Sequence, residues 1–219
     1  MTASLSPLPQ LLEAVERADS SELLVDAVEQ LAAAEITEAA PTLIAVLSYN
    51  NPGAAVAAVD GLIALGDLAV NDLLELLDNY NYGGRAWAIR ALAGIGHPQA
   101  LEVLLEAATT DFSMSVRRGA ARGLGTIQWQ KLAAAEVPAA RERAIAALFQ
   151  VSDDPEWVVR YAAVVGLEAL AKAATAGDLC LRVLDHLKRF QDREIEPSVR
   201  SRIELAIQSL TEFSTQTLA

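Results

Sequence analysis

The side chains able to do chemistry in this 219-residue chain are few and scattered. Its one cysteine, Cys180, lies in the amphipathic run GDLCLRVL, where a thiol packed in a core is the expectation rather than a nucleophile. The two histidines are far apart in sequence: His97 stands before a proline in an expected turn, and His186 on a helix where it is expected to face solvent. No His-Glu dipeptide repeats along the chain to hold iron, so no metal site is expected. A nucleophile elbow, a phosphate-binding glycine loop and a dinucleotide fingerprint are all missing.

What remains is a concentration of aromatic and guanidinium groups between 78 and 125. Tyr80, Tyr82 and Trp87 lie within eight residues, and Phe112 falls in the equivalent loop of the next repeat. Five arginines face three acids between 83 and 125, in a protein whose net charge is −12. Arg118 and Arg122, four apart, share a helical face, and Arg90 follows Arg85 by five. Aromatic plates beside arginines suit a flat conjugated ligand bearing carboxylates, because rings stack and guanidinium groups clamp carboxylates in bidentate fashion. A loop packed by aromatics with solvated arginines beside it fits the same residues equally well.

The elements that must position these groups are repeats. The segment VRRGAARGL (116–124) aligns with GRAWAIRAL (84–92), VRYAAVVGL (159–167) and, more loosely, VRSRIELAI (199–207). Upstream, AAVAAVDGL (54–62) and residues 23–31 continue the pattern without its arginine. The closing Leu or Ile recurs at spacings of 31, 30, 32, 43 and 40 residues, so the later repeats need longer helices, or loops near 126–140 and 171–178. Glycine-containing ends at 61–66, 91–96 and 123–125 read as helix caps, and Pro52, Pro155 and Pro197 as helix starts. Strand-like alternation is absent. The expected fold is all-α, a right-handed α-solenoid of five to six HEAT-like helical hairpins. It forms one domain over 1–219, with repeats near 21–50, 52–79, 83–110, 113–152, 155–192 and 197–214.

A further regularity assigns some arginines to the scaffold. Six residues before Arg85, Arg117, Arg160 and Arg200 stand Asn79, Asp111, Asp154 and Glu194, a spacing that predicts an acid–arginine ladder along the stack.

Charge and composition exclude several functions. Residues 1–82 hold one basic residue, Arg17, against thirteen acids, and the remainder balances to zero, so nucleic acid would be repelled at one end and find no basic face at the other. No run approaches the ~18 uninterrupted apolar residues of a membrane span. The N-terminal residues do not read as a secretion signal, and a single cysteine fits a reducing compartment, so a cytoplasmic location is expected. Few charges between Pro41 and Asp67 leave room for a protein interface there.

The runs YNYGGRAWAIRALAGIG (80–96) and DFSMSVRRGAARGLG (111–125) resemble the phycobilisome bilin lyases of the E/F type, densely over 52–125 and in register beyond. Length and motif placement are most similar to the shorter, F-type (beta) subunits. The resemblance implies a HEAT-like subunit of a heterodimeric enzyme that works with an E-type partner. Such an enzyme binds phycocyanobilin as substrate, with no permanent cofactor, and joins it through a thioether to a cysteine of the phycocyanin alpha subunit. The nucleophile then belongs to the acceptor, which agrees with the lack of a catalytic constellation here. On this reading Tyr80, Tyr82, Trp87, Arg90, Arg118 and Arg122 contact the bilin, the partner or the acceptor. Asp111 is the candidate for an acid–base assist, although its place in the ladder is the stronger expectation. The His-Cys motif of the isomerising relative has no counterpart in this chain. The alternative is a non-catalytic HEAT-like protein that binds phycobiliproteins during phycobilisome assembly or disassembly.

Overall fold

The computed structural model describes residues 7–78, 82–174 and 177–217, and among these every regular element is helical. Two compact units divide the chain, Met1–Ile95 and Gly96–Ala219. The first holds α1 (Leu8–Arg17), α2 (Ser21–Ala33), α3 (Ala40–Val46), α4 (Pro52–Leu65), α5 (Val70–Asp78) and α6 (Tyr82–Ile95). The second holds α7 (Leu101–Thr110), α8 (Met114–Thr126), α9 (Val137–Val151), α10 (Trp157–Ala173), α11 (Asp178–Arg193) and α12 (Pro197–Thr217).

Within each unit the helices alternate between two layers, as the repeat requires. In the second unit α8, α10 and α12 lie side by side, each backed by the odd-numbered helix before it. The short joints 111–113, 152–156 and 194–196 make α7–α8, α9–α10 and α11–α12 the hairpins. The aligned repeat segments explain the layer: Val116, Ala120, Ala121 and Leu124 on α8 and, at the same repeat positions, Val159, Ala163, Val164 and Leu167 on α10 are all buried. The small residues bring helix backbones together. A Cβ on Gly166 would meet the Ala121 carbonyl oxygen at 2.3 Å, and one on Gly125 would meet the Gly166 Cα at 2.8 Å.

The expected caps divide into two kinds. Gly66 (φ 62) ends α4 and Gly96 (φ 69) follows α6, both at a positive φ that glycine adopts without steric cost. Gly123 and Gly125 instead stay inside α8, and Gly125 is there because α10 leaves no space for a side chain. Pro52 and Pro197 are first residues of their helices, and Pro155 precedes α10 by two. The longer spacing of the later repeats comes from both sources anticipated. A 127–136 joint contains a 3-10 turn at Trp129–Lys131, and α9 to α12 run to 15, 17, 16 and 21 residues.

The most apolar stretch, Pro52–Leu77, is long enough to cross a membrane by length and composition. Gly66 breaks it into α4, a 3-10 turn and α5, and more than half of it is buried inside the first unit, so it reads as core.

Candidate functional site

Arginines in the second unit fall into two groups, those spent on the scaffold and those left over. Arg117, near the start of α8, donates Nη1 to the Asp111 carbonyl oxygen at 2.8 Å, which is what the spacing of six places within reach. Its Nε and Nη2 reach the Asp154 carboxylate of the next repeat at 2.6 and 3.1 Å. Arg160 repeats the arrangement: Nη1 on the Asp154 carbonyl at 3.0 Å, with Nε and Nη2 on Glu194 at 2.7 and 2.8 Å. Each acid is oriented by backbone N–H groups just after it, Glu156 for Asp154 and Ile195 with Glu196 for Glu194. These bonds raise the Arg117 and Arg160 pKa values, chiefly through their carboxylate partners, and the Arg160 bond holds Glu194 below its usual range. Asp111 is buried and takes Ser113 N–H on Oδ1 at 2.8 Å. Arg200, in the last repeat, is exposed with no ion pair among the described residues. Arg85 is partly buried on α6. Asn79 lies outside the described residues.

A second set of pairs, invisible to the repeat pattern, ties the odd-numbered helices. Arg143 of α9 forks onto Glu102 of α7, and Arg182 of α11 onto Glu142 of α9 at 2.6 and 2.9 Å. All four side chains are well exposed, so these pairs set register more than stability.

Arg118 and Arg122 belong to neither set. Both are exposed on the solvent side of α8, one turn apart, and no carboxylate pairs with either among the described residues. Met114, one turn before Arg118, is 50% exposed, and Phe112 in the preceding joint is 79% exposed. The result is a strip of apolar surface ending in two guanidinium groups. On α6, in the first unit, Arg90 is exposed with its Cζ 5.7 Å from the ring centre of the partly buried Trp87, a cation–π pair. Tyr80 and the side chain of Tyr82 lie outside the described residues.

Two aromatic residues absent from the expected set stand on α10. Trp157 is 44% and Tyr161 38% exposed. The signal was available: superposing VRYAAVVGL on VRRGAARGL puts Tyr161 at the position of Arg118, and Trp157 at that of Met114.

Cys180 is buried, with Sγ 3.3 Å from Ser214 Oγ, as a packed thiol would be. The expectation for His186 was wrong. Its ring stacks on Phe149 at 4.0 Å between centroids and its Nε2 lies 3.1 Å from Ser152 Oγ. Burial, aided by Arg193 and Arg189, pulls its pKa down to about 4. The heptad-like pattern of α11 shows which positions face inward but not that an aromatic neighbour from α9 would cover this one. His186 lines an open hollow of about 440 Å3 with Phe149, Gln150, Asp153, Arg189 and Arg193. Arg193 there pairs with Asp153 and Arg189 with Asp185, so the hollow offers no unpaired charge. No cluster of three or more metal-ligating side chains occurs among the described residues.

Known proteins agree with this architecture and extend it. The HEAT-repeat family matches residues 70–168. Phycocyanin alpha phycocyanobilin lyase CpcF of Synechocystis sp. (strain PCC 6803) is 54% identical over 196 residues, 90% of this chain and 91% of that protein. Phycocyanobilin lyase subunit beta of Thermosynechococcus vestitus (strain BP-1) is 49% identical, covering 93% of this chain and 96% of that one. Among solved structures, a chain in the complex of CpcE and CpcF of phycocyanin lyase from Nostoc sp. PCC7120 superposes with a TM-score of 0.73. It is 47% identical, over 78% of this chain and 99% of that one.

Proposed function

Because this chain belongs to the family of F-type (beta) phycocyanobilin lyase subunits, we propose that it supplies part of the surface on which an E/F heterodimer holds phycocyanobilin for attachment to the phycocyanin alpha subunit. The enzyme is a bilin lyase, and its partners are an E-type subunit, the bilin and the acceptor protein. The acceptor cysteine thiolate adds to the vinylic side chain of the bilin. A carbon–sulfur bond forms, the carbon–carbon π bond breaks, and a proton returns to the conjugated system. That chemistry needs no nucleophile from the enzyme. It needs the bilin held in one conformation with the reacting carbon against the thiolate, an effect worth orders of magnitude in rate. Phycocyanobilin enters as substrate, no permanent cofactor takes part, and the work is done in the cytoplasm.

The observation that supports placing the bilin on this chain is the pair Arg118 and Arg122. Every other arginine on α9 to α11 is engaged by an acid or a main-chain carbonyl. Two unengaged guanidinium groups one turn apart, beside exposed Met114 and Phe112, suit two propionates on neighbouring pyrrole rings. Arg90 over Trp87, with Tyr80 and Tyr82, is a second contact for bilin or partner. A phycobiliprotein-binding factor without lyase activity would use the same surfaces, but the relatives' lyase names favour the enzyme.

The test is co-expression of the chain, an E-type subunit, the acceptor and the bilin, with zinc-enhanced fluorescence of the denatured acceptor reporting the adduct. An Arg118→Ala/Arg122→Ala variant folds but transfers bilin at least about tenfold more slowly, the effect of losing two charge-assisted contacts. Transfer at the wild-type rate refutes the arginine assignment.

A further inference from the structure

The proposed clamp accounts for carboxylates but not for the conjugated plane between them. α10 offers what α8 lacks. The two helices touch through main chain: Gly166 sits against Ala121 and Gly125, with no space for a side chain at either glycine. Gly166 and Gly123 occupy the same repeat position, and stepping back five residues from each gives Tyr161 and Arg118. The two side chains therefore stand at one level on neighbouring parallel helices, with Trp157 opposite Met114 one turn below. Glycine and alanine contacts hold the helix axes near the close end of the usual 8–10 Å range, roughly 8 Å. That separation lets a ring on one helix and a guanidinium on the next touch a single ligand.

Trp157 and Tyr161 are 44% and 38% exposed in a chain that is only 5% aromatic. They lie four residues apart, so their rings lie on one face of the first turns of α10. The indole N–H and the phenol of this pair make no hydrogen bond among the described residues. Partly buried Val165 continues the row above them, as Arg122 does on α8. The combination is specific in charge and shape: an aromatic bed on one helix, two unengaged cations on the next. An apolar protein surface would cover the bed but leave the cations unpaired, and a simple carboxylate would pair with the cations but leave the bed bare. An extended conjugated dicarboxylate satisfies both.

We propose that Trp157 and Tyr161 form the bed on which the tetrapyrrole plane of phycocyanobilin lies, beside the propionate clamp of Arg118 and Arg122. The inference rests on the function proposed above and adds two positioning residues, neither of which touches the thiolate. It places the bilin across α8 and α10 of the second unit.

The experiment uses the full chain in complex with its E-type subunit. Trp157→Ala/Tyr161→Ala is compared with Trp157→Phe/Tyr161→Phe, in heterodimer formation by size exclusion, in phycocyanobilin affinity by absorbance titration, and in kcat and KM for transfer. The alanine pair is expected to form the heterodimer normally and to weaken bilin affinity about tenfold, raising KM for bilin more than it lowers kcat. The phenylalanine pair is expected to restore affinity to within about threefold, which a purely structural role would not predict for exposed side chains. Bilin affinity unchanged in the alanine pair overturns the proposal. So does loss of the heterodimer, which would make this face the subunit interface, or a defect confined to acceptor binding. If Arg118→Ala/Arg122→Ala leaves affinity intact while the alanine pair weakens it, the clamp fails and the bed stands. The reverse result removes the bed and keeps the clamp.

Discussion

Arg160 and Glu194 form a rung whose removal has a calculable effect. The Glu194 side chain is 2% and the Arg160 side chain 15% exposed, and two bonds of 2.7 and 2.8 Å join them. At an effective dielectric near 20, two unit charges about 4 Å apart attract by about 4 kcal/mol, and much of this is offset by desolvation of both groups. Arg160→Met removes the attraction and leaves the carboxylate buried with only the Ile195 and Glu196 N–H groups. It also strips a donor from the Asp154 and Pro155 carbonyls. Breaking one side of a buried pair costs about 3–5 kcal/mol, and the two surviving N–H bonds put this case near about 3. Replacing both residues, Arg160→Met/Glu194→Met, recovers part of the loss, with a coupling of about 2 kcal/mol in the double-mutant cycle. Urea unfolding at pH 7 followed by far-UV circular dichroism measures all four species. The control is Arg143→Ala: its bonds to Glu102 are shorter, at 2.5 Å, but the side chains are 53% and 70% exposed, so the loss stays below about 0.5 kcal/mol. Equal losses at Arg160 and Arg143, or a coupling near zero, would show that burial does not decide the strength of these pairs.

Three other perturbations probe separate features. Gly166→Ala drives a methyl into the Ala121 carbonyl and Leu148, and lowers stability by about 3 kcal/mol in the same unfolding assay. Acidification should destabilise through His186: its folded pKa, about 4, lies below the ordinary value near 6.5, so its contribution is complete above pH 6.5 and is lost as pH falls toward 4. After discounting for its partial exposure this amounts to about 1–2 kcal/mol, and a His186→Gln variant should flatten that part of the pH–stability curve. Cys180→Ala removes a buried thiol and lowers stability by about 1 kcal/mol, while bilin transfer in the co-expression assay stays at the wild-type level; abolished transfer by folded protein would make the thiol a participant.

Helix content and layer pattern were legible because repeats state their own register. The aligned segments at 84–92, 116–124 and 159–167 each mark the inner face of one helix, and Gly66, Gly96, Pro52 and Pro197 mark helix ends. Arginine roles were partly legible, since a spacing of six places a guanidinium near the preceding joint. That spacing does not reveal that the bonded carboxylate comes from the next repeat, 37 residues on for Arg117 and 34 for Arg160. Such a bond depends on how repeats stack, and no local pattern encodes it. His186 was misplaced for the same reason, because Phe149 reaches it from another helix. Trp157 and Tyr161 escaped notice because they look like members of an apolar helix until α10 is set beside α8. Gly125 was read as a helix end, whereas it is a contact point between helices.

That contact point has a consequence for how the face between α8 and α10 could change over time. Side chains that meet side chains absorb a mutation by swinging to another rotamer. Gly125, Gly166 and the Ala121 carbonyl have nothing to swing. Any residue added at this seam must wedge the two helices apart, and the groups on their outer face then move by the full displacement. The seam thus works as a gauge block, fixing the distance between the Arg118–Arg122 row and the Trp157–Tyr161 row. A substitution there, out of reach of any ligand, would re-scale the width of the face, and with it the breadth of molecule the face can span.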